Sequence, residues 1–125
     1  MNINLNVISN NLDALKKLGR LDLGSPRLNF KFAHILKTID DEVKLYIEQQ
    51  VKILDKFGNR EADGTYSVQK DKIAEFEKEL TEFNKLDIHV DWEKINVSVD
   101  KLQGISPIEM NLFEEYFINI VEEGV

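Results

Sequence analysis

The sequence predicts an α+β domain: a long antiparallel helical hairpin packed with a small antiparallel β-sheet and a C-terminal helix. Three observations carry this expectation. From Arg27 to Phe57 no glycine or proline interrupts a run whose apolar residues recur at alternating spacings of four and three. Short stretches near both ends of the chain alternate apolar and polar residues with a period of two. Ser106-Pro107-Ile108-Glu109 has the form of a capping box with proline at the first helical position. The whole chain, residues 1–125, reads as one domain, long enough to bury a core without disulfide or metal staples.

Ile3, Leu5 and Val7 alternate with Asn2, Asn4 and Asn6, which predicts a first strand with one wet face. Asn10 or Asn11 then caps a short helix carrying Leu12, Leu15 and Leu18, with Gly19 placed to end it in a left-handed conformation. Ser25-Pro26 opens the long helix, whose seam is Phe32, Leu36, Ile39, Val43, Tyr46, Gln50, Ile53 and Phe57. Roughly 30 helical residues make a rod about 45 Å long, so something must cover its stripe. A helix from Asp71 to about Lys85, with Ile73, Phe76, Leu80 and Phe83 in the same rhythm, supplies the cover and runs antiparallel to the first. Between the two, Gly58 ends the long helix and Asp63-Gly64 marks a tight turn in an exposed loop or small hairpin tip. Ile88, Val90 and Trp92, then Ile95, Val97 and Val99, alternate with polar residues and predict two strands forming a hairpin or one bulged ribbon. The capping box opens a final helix through Met110, Phe113, Phe117 and Ile120.

Charge and composition exclude several function classes. With 16 basic against 23 acidic residues the net charge is −7, which disfavours direct contact with phosphate backbones or anionic lipid. The absence of cysteine removes thiolate nucleophiles and cysteine-ligated metal centres, and it fits a cytoplasmic chain. The opening segment has no basic region followed by an apolar run, and no long apolar stretch occurs elsewhere, so neither secretion nor membrane insertion is expected. The phosphate-cradling, dinucleotide-binding, HExxH, EF-hand and GxSxG patterns are all missing, and no cofactor is expected.

Candidate functional residues fall into three groups. On a strand, His89, Asp91 and Glu93 would point the same way and bring an imidazole and two carboxylates together, which is the arrangement a metal-assisted hydrolase could use. Alternation with a buried apolar set would place the same residues in water without any ligand. Arg60, Asp63 and Tyr66 mark the hairpin tip, and Phe113, Tyr116 and Phe117 would anchor a protein interface if the last helix left them exposed. There the flanking Glu114, Glu115, Glu122 and Glu123 would favour a basic partner. His34 lies beside the long helix's seam, and Asp40-Asp41-Glu42 splay round that helix, so both read as structural or solvated groups. Gln50 interrupts an apolar seam, where a hydrogen-bonded amide can set register.

The order of parts also carries a resemblance. A short strand and leucine helix precede a long helix ending in Leu54-Asp55-Lys56-Phe57-Gly58. The turn Asp63-Gly64-Thr65-Tyr66, the helix Phe76-Glu77-Lys78-Glu79-Leu80 and the strands around Val90 and Val97 follow. This arrangement resembles a family of small proteins of unknown function encoded by tailed bacteriophages and prophages of low-GC bacteria. The resemblance implies an accessory protein working in the cytoplasm of a bacterial host cell, with no catalytic residues. It leaves virion assembly, host takeover and inhibition of a defence protein open. The expectation is therefore a non-enzymatic protein whose partner is a phage or bacterial protein, with a homodimer through the long helix also possible. A small hydrolase using His89, Asp91 and Glu93 is the alternative, and mimicry of nucleic acid by surface carboxylates is a further one.

Overall fold

The computed structural model describes residues 1–122 and begins with a strand much shorter than the alternation suggests. Strand β1 spans Asn2–Asn4, and helix α1 takes over at Leu5–Ser9. The switch comes from Asn4, whose side chain accepts a hydrogen bond from the Val7 amide at 3.0 Å and so caps the helix. Leu5 and Ile8 are buried in consequence, and Val7 turns outward. Helix α2 (Leu12–Gly19) buries Leu15 and Leu18 as expected, but Gly19 stays inside the helix. Gly19 makes no left-handed cap; it lies close to α3, where a Cβ would meet Leu36 Cδ1 and the end of that leucine would have to shift.

Helix α3 (Pro26–Phe57) contains 32 residues, about 48 Å of rod, and is capped by the Ser25 side chain accepting from the Leu28 amide. Its first half is core: Phe32, Ile35, Ile39, Val43 and Tyr46 are buried against α1, α2 and the C-terminal layer. Its second half runs out into an arm. There β2 (Gly58–Arg60) and β3 (Tyr66–Val68) form the expected antiparallel hairpin, and α4 (Ile73–Asn84) returns along α3. Gly64, at φ +90°, makes the turn, a conformation that costs glycine nothing. Phe76 meets Phe57 edge-on, Phe83 stacks on Tyr46, and Lys56 pairs with Glu79.

The remaining strands pair in a way that sequence alternation did not suggest. Strand β4 (Asp87–His89) lies antiparallel to β1, with Ile88 opposite Ile3, and its alternation stops before Trp92. Strand β5 (Ile95–Ser98) is followed by a single-turn 3₁₀ segment (Val99–Leu102) and α5 (Pro107–Tyr116), and the chain then forms a strand, β6 (Ile118–Val121). β5 and β6 are parallel, so the expected hairpin or ribbon is replaced by a strand–helix–strand crossover. The last helix ends at Tyr116 and not near Ile120 because Ile118 and Ile120 also fit a period of two about Asn119. Asn119 donates to Asn96 on the partner strand at 3.1 Å. The α+β class stands, with two antiparallel pairs and one parallel pair among the described residues. Glu123 lies outside the described residues.

Two expectations about stability follow. In the capping box, Ser106 Oγ accepts from the Glu109 amide and Glu109 accepts from the Ser106 amide. The latter bond, with help from Lys17, holds the Glu109 carboxyl below its usual range. Ser106→Ala should lower unfolding free energy by about 1 kcal/mol in urea titration. Tyr46, buried, donates from its hydroxyl to Asn84 and approaches Asn6 at 3.2 Å. Tyr46→Phe removes the hydroxyl from beside the Asn6 oxygen and leaves the Asn84 oxygen with Gln50 as its donor, and should cost about 1 kcal/mol by the same measurement.

Candidate functional site

An open groove of about 900 Å³ lies between the first half of α3 and the segment Ile88–Asn96. One wall is a stripe on α3. Phe30, His34 and Thr38 succeed one another at helical spacing, which puts them on one face. Phe30 and His34 meet edge to face with ring centroids 4.6 Å apart, and the Thr38 hydroxyl donates to the His34 carbonyl at 3.1 Å. Phe30 is 65% exposed although it is a large apolar side chain on a folded helix. The sequence seam begins at Phe32, two residues on, and this is why Phe30 falls outside the core.

The other wall is the connection from β4 to β5. Its apolar residues point inward: Val90 and Ile95 are buried, and Ile35 of α3 joins them in the same core cluster. Trp92, the chain's single tryptophan, is half-buried and oriented by two contacts. Its Nε1–H donates to the Tyr116 carbonyl at 3.0 Å, and its ring stacks on Phe117 with centroids 5.9 Å apart. The rim carries Lys31 and Lys94 against Glu42, Asp91 and Glu93, so carboxylates lead by one.

His89, Asp91 and Glu93 all line this groove, but the strand that was expected to align them ends at His89. Nε2 of His89 lies 3.4 Å from Asp91, both side chains are largely exposed, and His89 Nδ1 faces Asn2 at 3.4 Å. Among the described residues no group of three or more histidines and carboxylates is gathered as a metal site would require.

The other expected residues divide. Arg60, Asp63 and Tyr66 do sit together at the tip of the β2–β3 hairpin, where Arg60 and Tyr66 are register partners. Asp63 accepts from the Thr65 hydroxyl at 2.7 Å and the Thr65 amide at 3.1 Å, which holds its carboxyl below the usual range. The Tyr66 hydroxyl donates to Asp55 at 3.0 Å, and that bond pushes the phenol up. Phe113 and Phe117, by contrast, are completely buried and cannot serve as exposed anchors. Phe117 packs edge-on to Phe32 and under Trp92, and so belongs to the core that supports the groove. Tyr116 is half-buried, and burial followed by the neighbouring Glu115 charge pushes its hydroxyl up.

Neither Phe30's exposure nor the groove is legible in the sequence. The available signal was a phenylalanine off the helical seam, four residues before a histidine.

Among the described residues no helix is long and apolar enough to cross a membrane. No family model, no curated protein and no solved structure matches the chain.

Titration with Zn²⁺ or Mn²⁺ followed by calorimetry should give the same isotherm for the unaltered chain and for His89→Ala. A saturable site lost in that variant would restore the metal-assisted reading.

Proposed function

We propose that this protein is a non-enzymatic accessory protein, of phage or prophage origin, that works by binding another protein. The docking site in this reading is the groove between α3 and the β4–β5 connection. The observation that supports it most is Phe30, an aromatic side chain left 65% exposed at the lip of the groove. Large aromatic groups beside an apolar floor are the usual anchors of protein interfaces, and the floor here is Ile35, Val90 and Ile95.

Charge selects the occupant. The rim's surplus carboxylate and the net charge of −7 favour a basic segment of the partner that presents one apolar side chain to the groove. The setting in an infected or lysogenic bacterium rests on the resemblance of the order of parts to the phage family. The hairpin tip supports the reading less well, because Tyr66 and Asp63 are already engaged by Asp55 and Thr65.

The test is a binding measurement on single variants, using the tagged chain and a partner recovered from bacterial lysate. Phe30→Glu should weaken the partner's affinity by about 2 kcal/mol, roughly thirtyfold, because it puts a charge where an apolar anchor sits. Arg60→Glu at the hairpin tip should leave affinity unchanged. The reverse pattern would move the site to the tip, and equal affinity for both variants would sink the groove as the docking surface.

A further inference from the structure

We propose that two copies of this chain join through their helical arms, the open face of one α3–α4 pair lying on that of the other about a two-fold axis parallel to the arm. The proposal starts from a deficit of burial. Helix α4 has no buried residue at all, and Ile53 of α3 and Phe83 of α4 remain half-buried along the seam between them. They line a shallow groove of about 310 Å³ flanked by Lys52, Lys56 and Glu79. Two helices side by side cannot close an apolar seam, and the usual solution is a second pair laid across it.

The charges on that face say what the second pair is. Leu45, Gln49, Lys52 and Lys56 follow one another at spacings of four, three and four, which is one stripe of α3. On α4 the stripe containing Glu79 is Glu75, Glu79 and Glu82, with Leu86 next in the turn that continues the helix. One stripe is basic and the other acidic. Leu45 is 55% exposed and Leu86 51% exposed, each towards the end of its stripe nearest the core. The two stripes stand level, since Lys56 reaches Glu79 at 3.0 Å and Gln50 reaches Asn84 at 3.3 Å.

A two-fold axis along the arm places α3 of one copy over α4 of its partner, at the same height. Lysines then meet glutamates twice over, while Leu86 of each copy stands level with Gln49 of the other and about one helical turn from its Leu45. A two-fold axis across the arm would instead stack α3 on α3, lysine against lysine. The face is therefore complementary to a second copy in one orientation, which is the way paired charges at helix interfaces choose partner and direction. This surface is separate from the groove, so it stands or falls independently of what that groove binds.

Sedimentation equilibrium of the full chain reads the proposal directly. The unaltered protein should have the mass of two chains at about 100 µM, and dissociation should strengthen as salt rises from about 0.05 to 0.5 M. The double variant Lys52→Glu, Lys56→Glu and the double variant Glu79→Lys, Glu82→Lys should each be a monomer. An equimolar mixture of the two should regain the mass of one chain of each, because only the mixed pair sets unlike charges across both contacts. Lys56→Glu also breaks the bond to Glu79 within the arm, so Leu45→Asp serves as a second route: helix content by circular dichroism stays unchanged while the mass falls to that of one chain. A monomer for the unaltered chain at several hundred micromolar overturns the proposal. So does a dimer that survives Leu45→Asp, or a mixture of charge variants that stays monomeric.

Discussion

Tyr46 sits where α3 leaves the core and becomes an arm, and the rest of the architecture is arranged about that crossing. Its ring stacks on Phe83 of α4 with centroids 5.0 Å apart, while its hydroxyl is held by Asn84 of α4 and lies 3.2 Å from Asn6 of α1. Burial pushes the hydroxyl up, so it remains a protonated donor where it is needed. Gln50 donates to the same Asn84 oxygen at 3.3 Å, and Asn4 donates to the Asn84 carbonyl at 3.0 Å. Asn4 also caps α1 and approaches Asp87 of β4. One polar knot thus ties α1, α3, α4 and the β1–β4 pair. A polar group taken out of water must find partners, and here those partners are on different elements, so satisfying the group fixes the register of all of them.

The length of α3 explains why the molecule offers two surfaces. The core cluster reaches along α3 from Phe32 to Tyr46, about half of its 32 residues. The first half receives it, and the price is that Phe30 and His34, on the side turned from α2, are left on the lip of the groove. The second half receives α4, a helix whose apolar residues are all partly wet, and the β2–β3 hairpin at its end. Both the groove and the open face of the arm are places where a long rod outruns its cover. The groove has an irregular wall whose aromatic side chain, Trp92, is fixed by Tyr116 and Phe117, which suits recognition of a foreign segment. The arm has regular stripes of opposite sign at matched height, which suits a copy of itself.

Local chemistry determined what the sequence alone could determine. Ser25-Pro26 and Ser106-Pro107 each start a helix because the cap and the proline act within four residues, whatever the chain does elsewhere. The unbroken seam made α3 a helix, its echo in Ile73, Phe76, Leu80 and Phe83 made α4 its cover, and Asp63-Gly64 turned the hairpin between them. Even Gln50 could be marked as a register device, since an amide in an apolar seam requires a partner. Tertiary structure decided which strand met which, whether Ile118–Val121 continued a helix or paired with β5, and whether aromatic residues faced inward. Ile120 fits the helical seam of Met110, Phe113 and Phe117 and also a period of two with Ile118, and only the waiting edge of β5 decides between them. Phe113 and Phe117 look the same in the chain whether they anchor a partner or a core, because burial depends on what the fold brings over them. The groove has no local signature for the same reason: its walls are residues about 60 apart that become neighbours only when the molecule is closed.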